Sequence, residues 1–196
     1  MLRDIKNFPA GMTKAAYMEA GLHEAIHEAK GFDLLTMGRG EGPGCYCYAN
    51  NVLKETLNAI ARNYPFVVID NEAGLENLSR RIVAKVDLLL LVTDPSQRGL
   101  ETVKRLYDLT REMKNEYGRL GIVVNRCRNR DAGLPESAEE LKRYTQAEFL
   151  LGLPDDEDLA RRAERGEPVH NLLAGNPVVA AVDRMLEYTG AAAKKT

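Results

Sequence analysis

The sequence has no tryptophan, only three cysteines in 196 residues and no excess of either charge, with 27 Lys plus Arg against 29 Asp plus Glu. Each lack excludes a class of protein. Three thiols do not make the disulfide framework of a small secreted domain. A near-neutral chain without a basic block is not built to grip a polyanion, so no nucleic-acid partner is expected. The apolar runs are too short to span a bilayer, and the first residues carry no signal-peptide core, so neither membrane insertion nor export is expected. The sequence also lacks G-x-x-x-x-G-K-S/T, the loop that cradles nucleotide phosphates. "AGMTK" near the start and the tail "GAAAKKT" do not replace it. These lacks point to a cytoplasmic protein with reduced thiols, long enough for a sizeable core.

What is present is an alternation of short apolar runs and amphipathic segments. The runs are "FDLLTMG" from Phe32, "FVVID" from Phe66, "LLLLV" from Leu88, "GIVVN" from Gly121 and "FLLGL" from Phe149. They are nearly continuous in apolar residues, as strands buried on both faces of a parallel sheet are. Between them lie helical stripes: Met18, Leu22, Ala25, Ile26 and Ala29; Val52, Leu53, Leu57 and Ile60; and Leu100, Val103, Leu106, Tyr107, Thr110 and Met113 behind Ser96 as candidate cap. The pattern predicts an α/β fold, a mostly parallel sheet flanked by helices. One domain is expected over 1–190, followed by a frayed tail over 191–196.

Ligands on such sheets sit beyond the carboxyl ends of the strands. There the second run ends in "DNEAG", where Asp70 suits a Mg²⁺-bound water and Gly74 a γ-phosphate, although an acid at a strand end also serves as a plain helix cap. Asn125 closes the fourth run and can bond a purine edge or tie up a turn. Pro154 and Asp155 close the last run, where the simpler reading is the N-terminus of a helix. "HEAIH", His23 to His27, fits the H-E-x-x-H zinc-peptidase pattern if it is helical. The only other histidine is the distant His170, so a solvated helix face is the better reading.

The stretch "EGPGCYCYANN" holds Cys45 and Cys47 two positions apart behind Gly42, Pro43 and Gly44. In extended chain, residues i and i+2 point to the same side, so both sulfurs can face one metal. A helix beginning near Asn50 or Asn51 would favour thiolate there. Two thiolates complete half of a tetrahedral site, and a second copy across a two-fold axis supplies the rest. The alternative is two small buried side chains.

"MGRGEGPGCYCYANNVLK", "YPFVVIDNEAGLENLSRR", "VDLLLLVTDPSQRG" and "VVNR" together resemble the nickel-insertion accessory ATPases of carbon monoxide dehydrogenase (CooC-type), of the MinD/ParA-like deviant-Walker P-loop class. The resemblance implies that Cys45 and Cys47 hold nickel, or zinc in vitro, between two subunits of a homodimer. It implies that Asp70 and Gly74 are the Walker B and switch II residues. Asn125 would contact the base, and Pro154 with Asp155 would form the adenine-side loop. The implied cofactors are ATP and Mg²⁺, and the implied partner is carbon monoxide dehydrogenase. The family's members begin with a strand, the phosphate loop, a helix and a further strand. This sequence starts after them, so it is expected to lack ATPase activity as it stands. A non-catalytic metal-binding or protein-interaction fragment is the alternative.

Overall fold

The computed structural model describes residues 11–36, 55–71, 85–128, 133–169, 172 and 175–189. Cys45, Cys47, Gly74, His170 and the 191–196 tail lie outside the described residues. Contacts divide the chain into two compact units, Met1–Val83 and Ala84–Thr196, and each is described by itself.

In the second unit the expected parallel sheet is present. Its strands are β3 (Lys85–Thr93), β4 (Glu116–Cys127) and β5 (Phe149–Pro154), with β4 in the middle and both pairings parallel. The connections are the helices α2 (Gln97–Glu112) and α3 (Glu136–Thr145), and after β5 come α4 (Glu157–Glu164) and α5 (Pro177–Thr189). The stripe read from the sequence is the buried face of α2: Leu100, Val103, Tyr107 and Thr110. They cover Leu91 of β3 and Leu120, Ile122 and Val124 of β4, and α3 adds Ala138 and Leu141. Strand alternation sends Gly121, Val123 and Phe149 to the other face. There Tyr188 of α5 stacks on Phe149, centroids 5.2 Å apart and 13° between planes. Gly121 lies under this ring, and a Cβ at that position would meet it at 2.2 Å. Arg119 anchors the end of α5: it is bonded to both Glu148 oxygens at 2.5 and 2.6 Å and donates to the Tyr188 carbonyl.

The first unit departs from expectation twice. Helix α1 (Lys14–Glu24) is capped by Thr13, whose hydroxyl accepts from the Ala16 amide at 3.2 Å, but it stops before Ile26. Ile26–Ala29 forms β1 instead, antiparallel to β2 (Phe32–Leu35). Lys30 and Gly31 make the turn, with Gly31 at φ 91°. The run from Phe32 is therefore one arm of a largely exposed hairpin, not a buried parallel strand. His23 ends up on α1 and His27 on β1, so the two share no helix face. The Tyr64 hydroxyl donates to the Asp33 carboxylate on β2, a bond that pushes the phenol's pKa up. The second departure is "FVVID": Phe66, Val67, Val68 and Ile69 are exposed and irregular and form no strand among the described residues. Residues 55–61 are helical, as the second stripe predicts. Among the described residues no helix is long and apolar enough to cross a membrane.

Candidate functional site

The carboxyl edge of the β3–β4–β5 sheet brings three strand ends together. β3 ends at Thr93, and Asp94 opens the turn into α2. Its Oδ1 accepts from the Ser96 amide at 2.8 Å, and the Ser96 hydroxyl caps α2 by accepting from the Gly99 amide at 3.1 Å. Hydrogen bonding from Ser96, side chain first and backbone second, holds the Asp94 carboxyl below its ordinary pKa, and the charge of Arg126 adds to this. A Cβ on Gly99 would sit 2.6 Å from Asp94 Oδ1 and from Thr93 Oγ1, so this close turn depends on glycine.

β4 loses its regular register at its end. Pairing with β5 shifts between Val124 and Cys127, and Arg126 takes a left-handed φ of 60°. Such irregularities re-aim side chains at strand ends. The Asn125 side-chain oxygen accepts from the Arg126 amide at 3.0 Å, which turns the chain and leaves the carboxamide N–H₂ to donate elsewhere. The ladder resumes at Cys127 opposite Pro154, and the Asp155 amide donates to the Cys127 carbonyl at 3.0 Å. Asn125, Pro154 and Asp155 are thus brought to adjacent strand ends.

Asp155 does not cap the helix that follows. Asp156 does, accepting from the Leu159 amide at 2.9 Å and from Asn176 Nδ2 at 3.2 Å. Asp155 instead lies 3.9 Å from the exposed Arg128 guanidinium, a loose pair. Sequence reasoning missed Asp94 and Arg126 at this edge. The "TDPS" turn was a usable signal for Asp94, but nothing local marks a left-handed arginine. Cys127 is half-buried, and burial pushes its thiol up, away from the thiolate a metal needs. Asp70 is exposed and belongs to the other unit. Among the described residues no three His, Cys, Asp or Glu side chains are grouped to hold a metal ion.

An ATP-binding protein of Methanocaldococcus jannaschii is 40% identical over 182 residues, covering 91% of this chain and 70% of that protein. The chain belongs to the MinD/ParA-like family of ATP-binding proteins. No protein-family model matches it. The carbon monoxide dehydrogenase accessory protein CooC of Rhodospirillum rubrum is 30% identical over 146 residues, and the chain spans 53% of its length. Among solved structures, the Pyrococcus furiosus cell division ATPase MinD superposes with a TM-score of 0.64 at 18% identity, covering 93% of this chain and 77% of that one. MinD of Aquifex aeolicus gives 0.58 at 25% identity over 72% and 61%. The α/β fold with its parallel sheet is that of these P-loop ATPases.

Proposed function

We propose that this MinD/ParA-like chain carries nickel for the maturation of carbon monoxide dehydrogenase, in the cytoplasm, as a homodimer, a delivery that is ATP-dependent in the complete family. The carrying observation is Cys45-Tyr46-Cys47 in a chain 30% identical over 146 residues to a carbon monoxide dehydrogenase accessory protein. In this reading residues 1–190 act as one domain. Two cysteines from each subunit bind the metal in a four-sulfur site, which either subunit alone only half completes. Asn125 donates to the purine edge, and Pro154 and Asp155 flank the base. Asp70 and Gly74 serve the Mg²⁺ and γ-phosphate side.

The metal test is stoichiometry with chain mass. One divalent ion per two chains is expected, Ni²⁺ or Zn²⁺ according to what is supplied. Cys45→Ala and Cys47→Ala each lose the metal and the metal-dependent dimer, and Cys127→Ala keeps both. Metal retained at the same stoichiometry in the double Cys45→Ala, Cys47→Ala variant would overturn the site. The 196-residue sequence carries no phosphate loop, and without its amides and lysine no clamp holds the transferring phosphoryl group. This polypeptide is therefore expected to bind nucleotide weakly and to turn over no ATP. Steady turnover that disappears in Asp70→Ala would refute that expectation. A second reading, carried by the Cys45-Tyr46-Cys47 stretch alone, is a non-catalytic metal-binding or interaction role, in which a dimer would respond to metal and chelator but not to nucleotide.

A further inference from the structure

At the end of the sheet opposite to Asn125 and Asp155, an open depression of about 450 Å³ lies where β3 and β4 begin and α2 ends. Lys85, Arg111, Lys114, Asn115, Glu116 and Tyr117 line it. Three cations thus meet one carboxylate. The exposed Arg111 guanidinium lies 6.0 Å from the Tyr107 ring centre, at the outer limit of a cation–π contact. Burial pushes the Tyr117 hydroxyl up in pKa, and a hydrogen bond with Tyr107 adds to this.

The way α2 stops sets where Lys114 stands. The Asn115 amide donates to the Thr110 carbonyl at 3.1 Å and the Lys114 amide to the Arg111 carbonyl at 3.0 Å, the paired bonds of a Schellman motif. The residue at its left-handed position is Lys114, at φ 53°. Glycine is usual there, because a side chain in this conformation costs roughly 1–2 kcal/mol. The carbonyl end of a helix attracts cations, which accounts for the charge of Arg111 and Lys114. Helix α3 ends in the same left-handed way at Gln146, so the conformation by itself marks no site; the helix end does not account for Lys85, which arrives on a different element.

We propose that this depression binds a dianionic phosphate, free or as the terminal group of a small phosphate monoester, at a site separate from the nucleotide-side edge. Lys85, Arg111 and Lys114 supply the positive charge, and Asn115 supplies a neutral donor. The depression is open and its three cations are exposed, so it suits a small, strongly charged anion that stays partly in water.

The test is calorimetric titration of the full chain with inorganic phosphate and with glycerol 3-phosphate at constant ionic strength, chloride serving as control. Saturable binding of either anion is expected; binding of both points to free phosphate, and binding of the ester alone points to the monoester. Lys114→Gly is the decisive variant. It removes the ammonium and relieves the left-handed strain, so thermal stability should hold or rise while affinity falls about tenfold or more. Lys85→Gln should lower affinity similarly without touching the helix end. No saturable binding of either anion, or affinity unchanged in both variants, would overturn the site.

Discussion

Phe66–Asp70 and Gly121–Asn125 are two five-residue runs of nearly the same kind, "FVVID" and "GIVVN". The second lies at the centre of a sheet. Its Ile122 and Val124 have no exposed surface, with β3 and β5 on either side, α2 and α3 on one face and α5 on the other. The first forms no strand among the described residues, and Val68 is 93% exposed. Apolar composition is a demand for neighbours, and it does not supply them. A strand exists where a ladder satisfies its amides and carbonyls and a helix covers its side chains.

The strongest way to break this comparison is to truncate both runs. Ile122→Ala is expected to cost about 2–5 kcal/mol, because neither face can collapse around the gap. Val68→Ala should stay within about 0.5 kcal/mol. Urea midpoints measure both, and equal losses would show that the two runs are buried alike. A smaller effect tests how closely β4 is packed beneath α5. Gly121→Ala places a methyl into the Phe149 ring and should cost about 1–3 kcal/mol. Pairing it with Phe149→Leu should recover part of the loss, and no recovery would mean that the contact is not the cause.

Ser96→Ala removes the hydroxyl that accepts from Gly99 and should cost about 1 kcal/mol, read as a lower melting temperature with the helical signal otherwise retained. The smallest expected effect is at Glu148. Its pKa is lowered by the hydrogen bond from Arg119, so the pair's contribution is complete above the ordinary carboxylate pKa and fades as pH falls through the lower folded value. Glu148→Gln should therefore flatten the acid limb of stability against pH by slightly lowering neutral stability, with little change at pH values below the folded pKa. Amide exchange in the last turn of α5 should quicken, since Arg119 also holds the Tyr188 carbonyl.

Much of the second unit was legible. The period of α2, its Ser96 cap and the three runs that became β3, β4 and β5 are local patterns, and they led to the parallel sheet. The carboxyl-edge rule pointed to Asn125, Pro154 and Asp155, which do share an edge. The cap was misplaced by one residue because the Asp155 amide is bound to the Cys127 carbonyl, a contact between strands far apart in sequence. The left-handed Arg126 and Lys114 were invisible for a related reason: neither is glycine, so no residue type announced the turn.

In the first unit the helical stripe through Ala25, Ile26 and Ala29 yielded to a hairpin. A four-residue segment satisfies either period, and Gly31 at positive φ let the chain fold back on itself. By itself the sequence determined the α/β class, the amphipathic face of α2 and the residue types placed at the strand ends, because periodicity, capping and turn chemistry act within a few residues. Only the tertiary structure decided which apolar runs became strands, which aspartate caps α4 and which cations gather where β3 and β4 begin. Those outcomes depend on hydrogen-bond partners and covering side chains supplied from elsewhere in the chain.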